Sequence, residues 1–169
     1  GFGTGLNALL TWLHAGDTPI AYTAIEAYPL APEQISALNY PQVLTDPQAT
    51  EAFAQLHQAP WDALTPLRPG FTLLKHATTL EAYQPEGTFD LIYYDAFAPN
   101  AQPELWSEAV MARLFTWLDP GGIFITYSAK SSVRRGLIQA GFGVEKLPGP
   151  PGKREMLRAR RPRSPLESE

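Results

Sequence analysis

The run Phe89-Asp90-Leu91-Ile92-Tyr93-Tyr94-Asp95 constrains the fold more than any other stretch. It is nearly apolar throughout, as a strand buried on both faces must be, and such strands occur in parallel sheets covered by helices. Shorter β-rich runs occupy residues 20–25, ending at Glu26, and residues 71–75 and 123–127. Helical patterns separate them. Leu6, Leu9, Leu10 and Leu13 form one helix face that stops near Gly16. A start at residues 29–33 predicts a helix toward Tyr40, and the N-cap and proline pair Asp46-Pro47 opens another that runs to about Gln58. Leu105, Val110, Leu114, Phe115 and Leu118 form a stripe ending at Pro120-Gly121-Gly122, and residues 131–140 form a helix closed by Gly141. Residues 144–147 and 155–159 flank a Pro-Gly-Pro-Pro-Gly turn and read as a hairpin. The alternation predicts one α/β domain with a mostly parallel sheet and a C-terminal antiparallel hairpin.

Composition excludes several classes. The apolar share, 44%, is that of an ordinary globular domain, and only 18% of residues are charged, which argues against disorder. Without cysteine there is no disulfide, thiolate metal site or cysteine nucleophile, and His14, His57 and His76 are scattered, so no metal centre is expected. The 17 prolines predict many short elements. The net charge of −4 conceals a polarised chain: residues 1–129 carry 3 basic and 13 acidic side chains, and residues 130–163 carry 10 basic and 2 acidic. A concentrated basic third suits a polyanion such as nucleic acid, and equally a solvated tail.

The chain opens on Gly1-Phe2-Gly3-Thr4-Gly5, directly ahead of the first helix. A glycine turn of this kind follows a strand, so a first strand is expected before residue 1. The expected organisation is an N-terminally truncated domain over residues 1–159 and a polar tail over residues 160–169.

In a doubly wound sheet, ligands sit beyond the carboxyl ends of the strands. The glycine turn lies at the first such end, Glu26 at the second and Asp95 at a later one. Glycines let backbone approach a ligand, the following helix N-terminus favours an anionic group, and Glu26 can accept two hydrogen bonds from a ribose diol. Tight packing with no ligand is the competing explanation of the turn. The spacing Gly-x-Gly-x-Gly departs from the Gly-x-Gly-x-x-Gly of dinucleotide folds, which disfavours NAD without excluding it. The terminal hairpin is typical of S-adenosylmethionine (SAM) methyltransferases.

Gly1-Phe2-Gly3-Thr4-Gly5-Leu6-Asn7, Tyr94-Asp95-Ala96-Phe97-Ala98-Pro99, Pro103-Glu104-Leu105-Trp106, Thr126-Tyr127-Ser128-Ala129, Val133-Arg134-Arg135-Gly136-Leu137, Ala140-Gly141-Phe142 and Gly152-Lys153-Arg154-Glu155-Met156-Leu157 resemble the tRNA 5-methylaminomethyl-2-thiouridine methyltransferases. These are the stand-alone MnmD type or the N-terminal half of bifunctional MnmC. The resemblance implies a cytoplasmic, Rossmann-like enzyme that transfers one methyl from SAM to the 5-aminomethyl group of a tRNA wobble uridine. It also implies that Gly1, Phe2, Gly3, Thr4, Gly5 and Asn7 form the methionine-side cofactor loop, and that Glu26 holds the ribose. Asp95 then faces the transferred methyl, as a cofactor contact and as the catalytic carboxylate. Where the family tends to carry an acid after the third strand, near the adenine, this chain has His76-Ala77-Thr78-Thr79, which leaves Thr79 as the candidate hydrogen-bonding group.

Phe97 and Tyr127 flank the same strand ends and could stack on the flipped uracil or the sulfonium, although core packing fits them equally. Lys130, Arg134, Arg135, Lys153 and Arg154 are the candidate contacts to tRNA carrying 5-aminomethyl-2-thiouridine. No FAD-binding oxidase half is visible, and no membrane partner is expected. Aminopropyl transfer, methylation of another small amine, and RNA binding without activity are the alternative readings.

Overall fold

The computed structural model describes residues 1–163, which divide into two compact units, one over residues 1–83 and one from residue 84 onward. In the first unit α1 (Leu6–His14) leads to β1 (Ile20–Ile25). Three short helices follow, α2 (Pro32–Ser36), α3 (Tyr40–Leu44) and α4 (Ala49–Gln58), and then β2 (Thr65–Arg68) and β3 (Phe71–His76). The sheet order is β1-β3-β2. β1 runs parallel to β3, with Ile20 opposite Phe71 and Ile25 opposite His76, and β2 is antiparallel to β3.

The pleat of β3 buries Phe71, Leu73 and Lys75 on one face. Leu9 and Trp12 of α1 and Leu56 of α4 share that core with Phe71, Leu73 and Phe2. Arg68 stacks over Trp12 and Phe71 and donates to Trp12 O and Gly16 O, so it covers carbonyls at the end of α1.

The second unit contains β4 (Phe89–Tyr93), a 3₁₀ turn (Pro103–Trp106), α5 (Glu108–Trp117), β5 (Leu118–Thr126), α6 (Ser131–Gln139), β6 (Gly143–Pro148) and β7 (Glu155–Arg160). Its sheet order is β4-β5-β7-β6, with β4 parallel to β5 and the last two pairings antiparallel. Phe124, Leu118, Leu137 and Leu157 are fully buried, as are Met111 and Leu114 of α5. Across the hairpin, Lys146 pairs with Glu155 at 2.9 Å and Arg158 with Glu145 at 2.6 Å.

The helices and strands expected from the sequence form, and the class is α/β with a Rossmann-like arrangement. Several details differ. The strands fall into two sheets rather than one, because β1 and β4 each pair along one edge only among the described residues. That explains a second departure: Leu91 and Tyr93 of β4 are each 39% exposed, although the run reads as buried on both faces.

The helix expected toward Tyr40 splits into α2 and α3. Leu105 lies in the 3₁₀ turn, separated from α5 by Ser107, whose hydroxyl accepts from Val110 N as the N-cap. The expected tail at residues 160–169 starts too early. Arg160 ends β7, and Arg161 exchanges backbone hydrogen bonds with Gly121 and Gly122 while its guanidinium donates to Phe115 O and Leu118 O. Residues 164–169 lie outside the described residues. Among the described residues no helix is long and apolar enough to cross a membrane.

Candidate active site

In the first unit the glycine turn is built against the end of β1. Phe2 N donates to Ile25 O at 2.8 Å, Gly5 N to Phe2 O at 2.9 Å, and Leu9 N to Gly5 O at 2.9 Å, the last being the first bond of α1. Gly3 and Gly5 have φ of 53° and 77°, in the left-handed region that favours glycine. Gly5 is the N-cap of α1 and has no side chain to cap it. The Glu26 carboxylate backs the turn: Oε2 accepts from Gly3 N at 2.8 Å and Oε1 from Tyr28 N at 3.0 Å. A Cβ at Gly1 would come within 2.7 Å of that Oε2.

The structure therefore brings Gly1, Gly3 and Glu26 together. It turns the Phe2 ring the other way, into the core against His57 and Trp61, so Phe2 can meet a ligand only through its backbone. Thr4 is half-buried, with its hydroxyl accepting from Tyr40 OH. Asn7 lies in the first turn of α1, where its carbonyl accepts from Thr11 Oγ1. Thr79 is exposed and its Oγ1 accepts from Ala82 N, capping a short turn, which leaves its hydroxyl proton and one lone pair to offer an adenine.

The cluster holds a residue that sequence patterns do not mark. Lys75 is 1% exposed. Its Nζ donates to Leu56 O at 2.9 Å and His57 O at 3.2 Å, carbonyls that the end of α4 leaves unpaired, and lies over the Phe2 and Trp61 rings. Burial lowers its pKa to about 8 from 10.5. Between those values the unfolded chain binds more protons than the folded one, so stability rises with pH across that window. Denaturant titrations from pH 8 to 10.5 should show wild type gaining up to about 3 kcal/mol relative to Lys75→Met. Parallel pH profiles for the two proteins would contradict this.

In the second unit the segment after β4 is held by its carbonyls. Tyr127, at the end of β5, donates through its hydroxyl to Ala96 O at 2.8 Å, and the Trp106 indole donates to Phe97 O at 2.8 Å. Tyr94 is buried and its hydroxyl donates to Leu105 O; burial raises its pKa. These bonds fix the backbone of Asp95-Ala96-Phe97 and leave the Asp95 and Phe97 side chains exposed, Phe97 at 68%. The Tyr127 pKa is raised by burial first and then by the Asp95 charge, which places that carboxylate in its electrostatic neighbourhood. The Tyr127 ring carries the Lys153 ammonium at 4.2 Å. Tyr127 is thus an anchor of the loop, and its ring face already holds a cation.

The basic third divides in two. Arg158, Lys146 and Arg161 are engaged within the unit, and Lys130 donates to Asn100 Oδ1. Arg134 and Arg135 on α6 and Arg154 in the hairpin turn are exposed and have no ion-pair partner among the described residues.

Within the first unit, a left-handed glycine turn entering a helix and backed by the carboxylate that follows β1 is the arrangement of a nucleotide-type cofactor loop. The solved MNMC2 of Aquifex aeolicus has the same fold, with a TM-score of 0.71 at 22% identity over 94% of this chain and 50% of that one. A methyltransferase from Pyrococcus furiosus follows at 0.60 and 18% identity, over 96% of this chain and 72% of that one. The family model described as S-adenosyl-L-methionine-dependent methyltransferase matches residues 72–162, and the chain belongs to that family. S-adenosyl-L-methionine is its methyl donor.

The curated relatives include the tRNA 5-methylaminomethyl-2-thiouridine biosynthesis bifunctional proteins MnmC of Chromobacterium violaceum and Magnetococcus marinus. The first is 31% identical over 92% of this chain and the second 34% over 94%. The chain spans about a quarter of each relative's length, 25% in both.

Proposed function

We propose that the chain methylates the exocyclic 5-aminomethyl group of a tRNA wobble uridine, with the cofactor held by the glycine turn and Glu26. The observation that carries this reading is the Asp95-Ala96-Phe97 segment. Its carbonyls are tied down by Tyr127 and Trp106, and it presents a carboxylate and an aromatic ring. The names of the MnmC relatives supply the substrate.

The residues present fit the cofactor. The turn carries left-handed glycines, the helix N-terminus has no side-chain cap, and each Glu26 oxygen accepts one backbone bond with a second lone pair left for a ribose hydroxyl. When bound, the cofactor supplies an activated methyl. The remaining task is to align an amine lone pair at ~3–3.5 Å from it. A protonated amine has no lone pair to offer. Asp95 accepts a hydrogen bond from the amine, orients it and takes up its proton. Phe97 stacks on the uracil, and Tyr127 holds the loop rather than the substrate.

Methyl transfer from labelled SAM to tRNA carrying or lacking the aminomethyl group tests the reading. Incorporation only with the group is expected, and incorporation indifferent to it would refute the substrate. The tRNA phosphates are assigned to Arg134, Arg135 and Arg154, with Lys130 and Lys153 alongside, and the enzyme to the cytoplasm, where tRNA is. Arg134→Ala and Arg135→Ala should each weaken tRNA binding and make the plot of log affinity against log salt shallower by about 0.9. An unchanged slope would assign these side chains to the solvated surface.

A further inference from the structure

Thr4 is the residue between the two left-handed glycines of the turn, and it is held from two sides. Tyr40 of α3 donates its hydroxyl to Thr4 Oγ1 at 2.9 Å. His57 of α4 approaches Thr4 O with Nε2 at 3.1 Å. A carbonyl only accepts, so Nε2 carries the proton.

His57 is itself held in place. Its ring lies edge-on to Phe2 at 5.4 Å and against Phe53 at 4.5 Å, and its own carbonyl receives the buried Lys75 ammonium. Burial, reinforced by the Lys75 charge, keeps the imidazole below its ordinary pKa, while the Thr4 bond acts the other way. The support is close: a Cβ at Gly5 would lie 3.0 Å from His57 Nε2 and 3.2 Å from Phe2 Cζ.

We propose that His57 and Tyr40 are positioning residues that hold the Thr4 backbone, and with it the amides of the glycine turn, in the geometry that receives the methionine end of S-adenosylmethionine. The proposal rests on the reading of that turn as the cofactor loop. Glycines in the left-handed region have the widest choice of backbone states, so an untethered Gly-x-Gly-x-Gly turn populates many conformations. Ligand affinity falls in proportion to the binding-competent fraction. Thr4 is the non-glycine residue of the turn whose carbonyl and side chain both find partners on the helices after β1, so a tether there restricts the turn at its middle. Lys75 keeps the end of α4, and hence His57, in register with β3.

The experiment is calorimetric titration of the full chain with S-adenosylhomocysteine, alongside steady-state kinetics. His57→Phe keeps the ring packing and removes the donor. About tenfold weaker binding is expected, with a matching rise in KM for S-adenosylmethionine and little change in kcat. His57→Gln, whose amide nitrogen can reach the same carbonyl, should recover most of the loss, which a role in packing alone would not predict. Tyr40→Phe should weaken binding by a smaller factor and carries the test if His57→Phe fails to fold.

Glu26→Ala separates the two readings. If it weakens binding while His57→Phe and Tyr40→Phe bind as wild type, the positioning role is overturned and the cofactor loop stands. If all three bind as wild type, both readings fall.

Discussion

Asp95→Asn is expected to lower kcat by about 10²–10⁴-fold while leaving S-adenosylhomocysteine affinity nearly unchanged. The two side chains have the same shape, and the position is exposed on a segment whose Ala96 and Phe97 carbonyls accept bonds from Tyr127 and Trp106. The substitution should therefore leave the fold intact. What it removes is the negative charge and the capacity to take up a proton from the attacking amine. Single-turnover methyl transfer, run beside calorimetry, reads the two effects separately. Equal losses in turnover and affinity would make Asp95 a cofactor-binding residue only. Tyr127→Phe sharpens the contrast, since it frees the Ala96 carbonyl without touching the carboxylate and should act through the placement of Asp95.

The parts of this site that are legible in the sequence are those where a residue type is nearly unique to its task. Glycines in left-handed conformations and acids at strand ends announce themselves: Gly3 and Gly5 take positive φ, Glu26 directly follows β1, and Asp95 comes two residues after β4. The supports beneath the turn do not. His57 is 53 residues from Thr4 and sits on an amphipathic helix, where a histidine reads as ordinary surface or packing. Lys75 ends an apolar run and looks like the exit of a strand; only the pleat of β3, with Phe71 and Leu73 inside, shows that the lysine follows them into the core. Pro66 hides β2, since proline weakens any strand signal; it is tolerated here on an edge strand that pairs with β3 alone among the described residues. Periodicity misleads at β4 for a related reason. An apolar run reports the faces a strand can bury, and Leu91 and Tyr93 are exposed on a strand that, among the described residues, pairs with β5 alone.

Glu26→Ala is expected to weaken S-adenosylhomocysteine binding by about 10²-fold, the loss of two charge-assisted hydrogen bonds. Two separate contributions make up that figure. One lies within the protein, where the carboxylate fixes Gly3 N and Tyr28 N and so shapes the turn before any ligand arrives. The other is the acceptor it offers to the ribose. Glu26→Gln keeps one oxygen and should fall between, at about tenfold.

Titrating wild type and Glu26→Ala with S-adenosylhomocysteine and with its 2′-deoxy analogue closes a cycle that separates the contributions. If Glu26 holds the ribose, removing the hydroxyl weakens binding to wild type and costs the variant nothing further. If the carboxylate only shapes the turn, the hydroxyl matters equally to both proteins, and Thr79 or a backbone group must supply the ribose contact. Unchanged affinity for S-adenosylhomocysteine in Glu26→Ala would remove the carboxylate from the site altogether, since neither contribution survives that result.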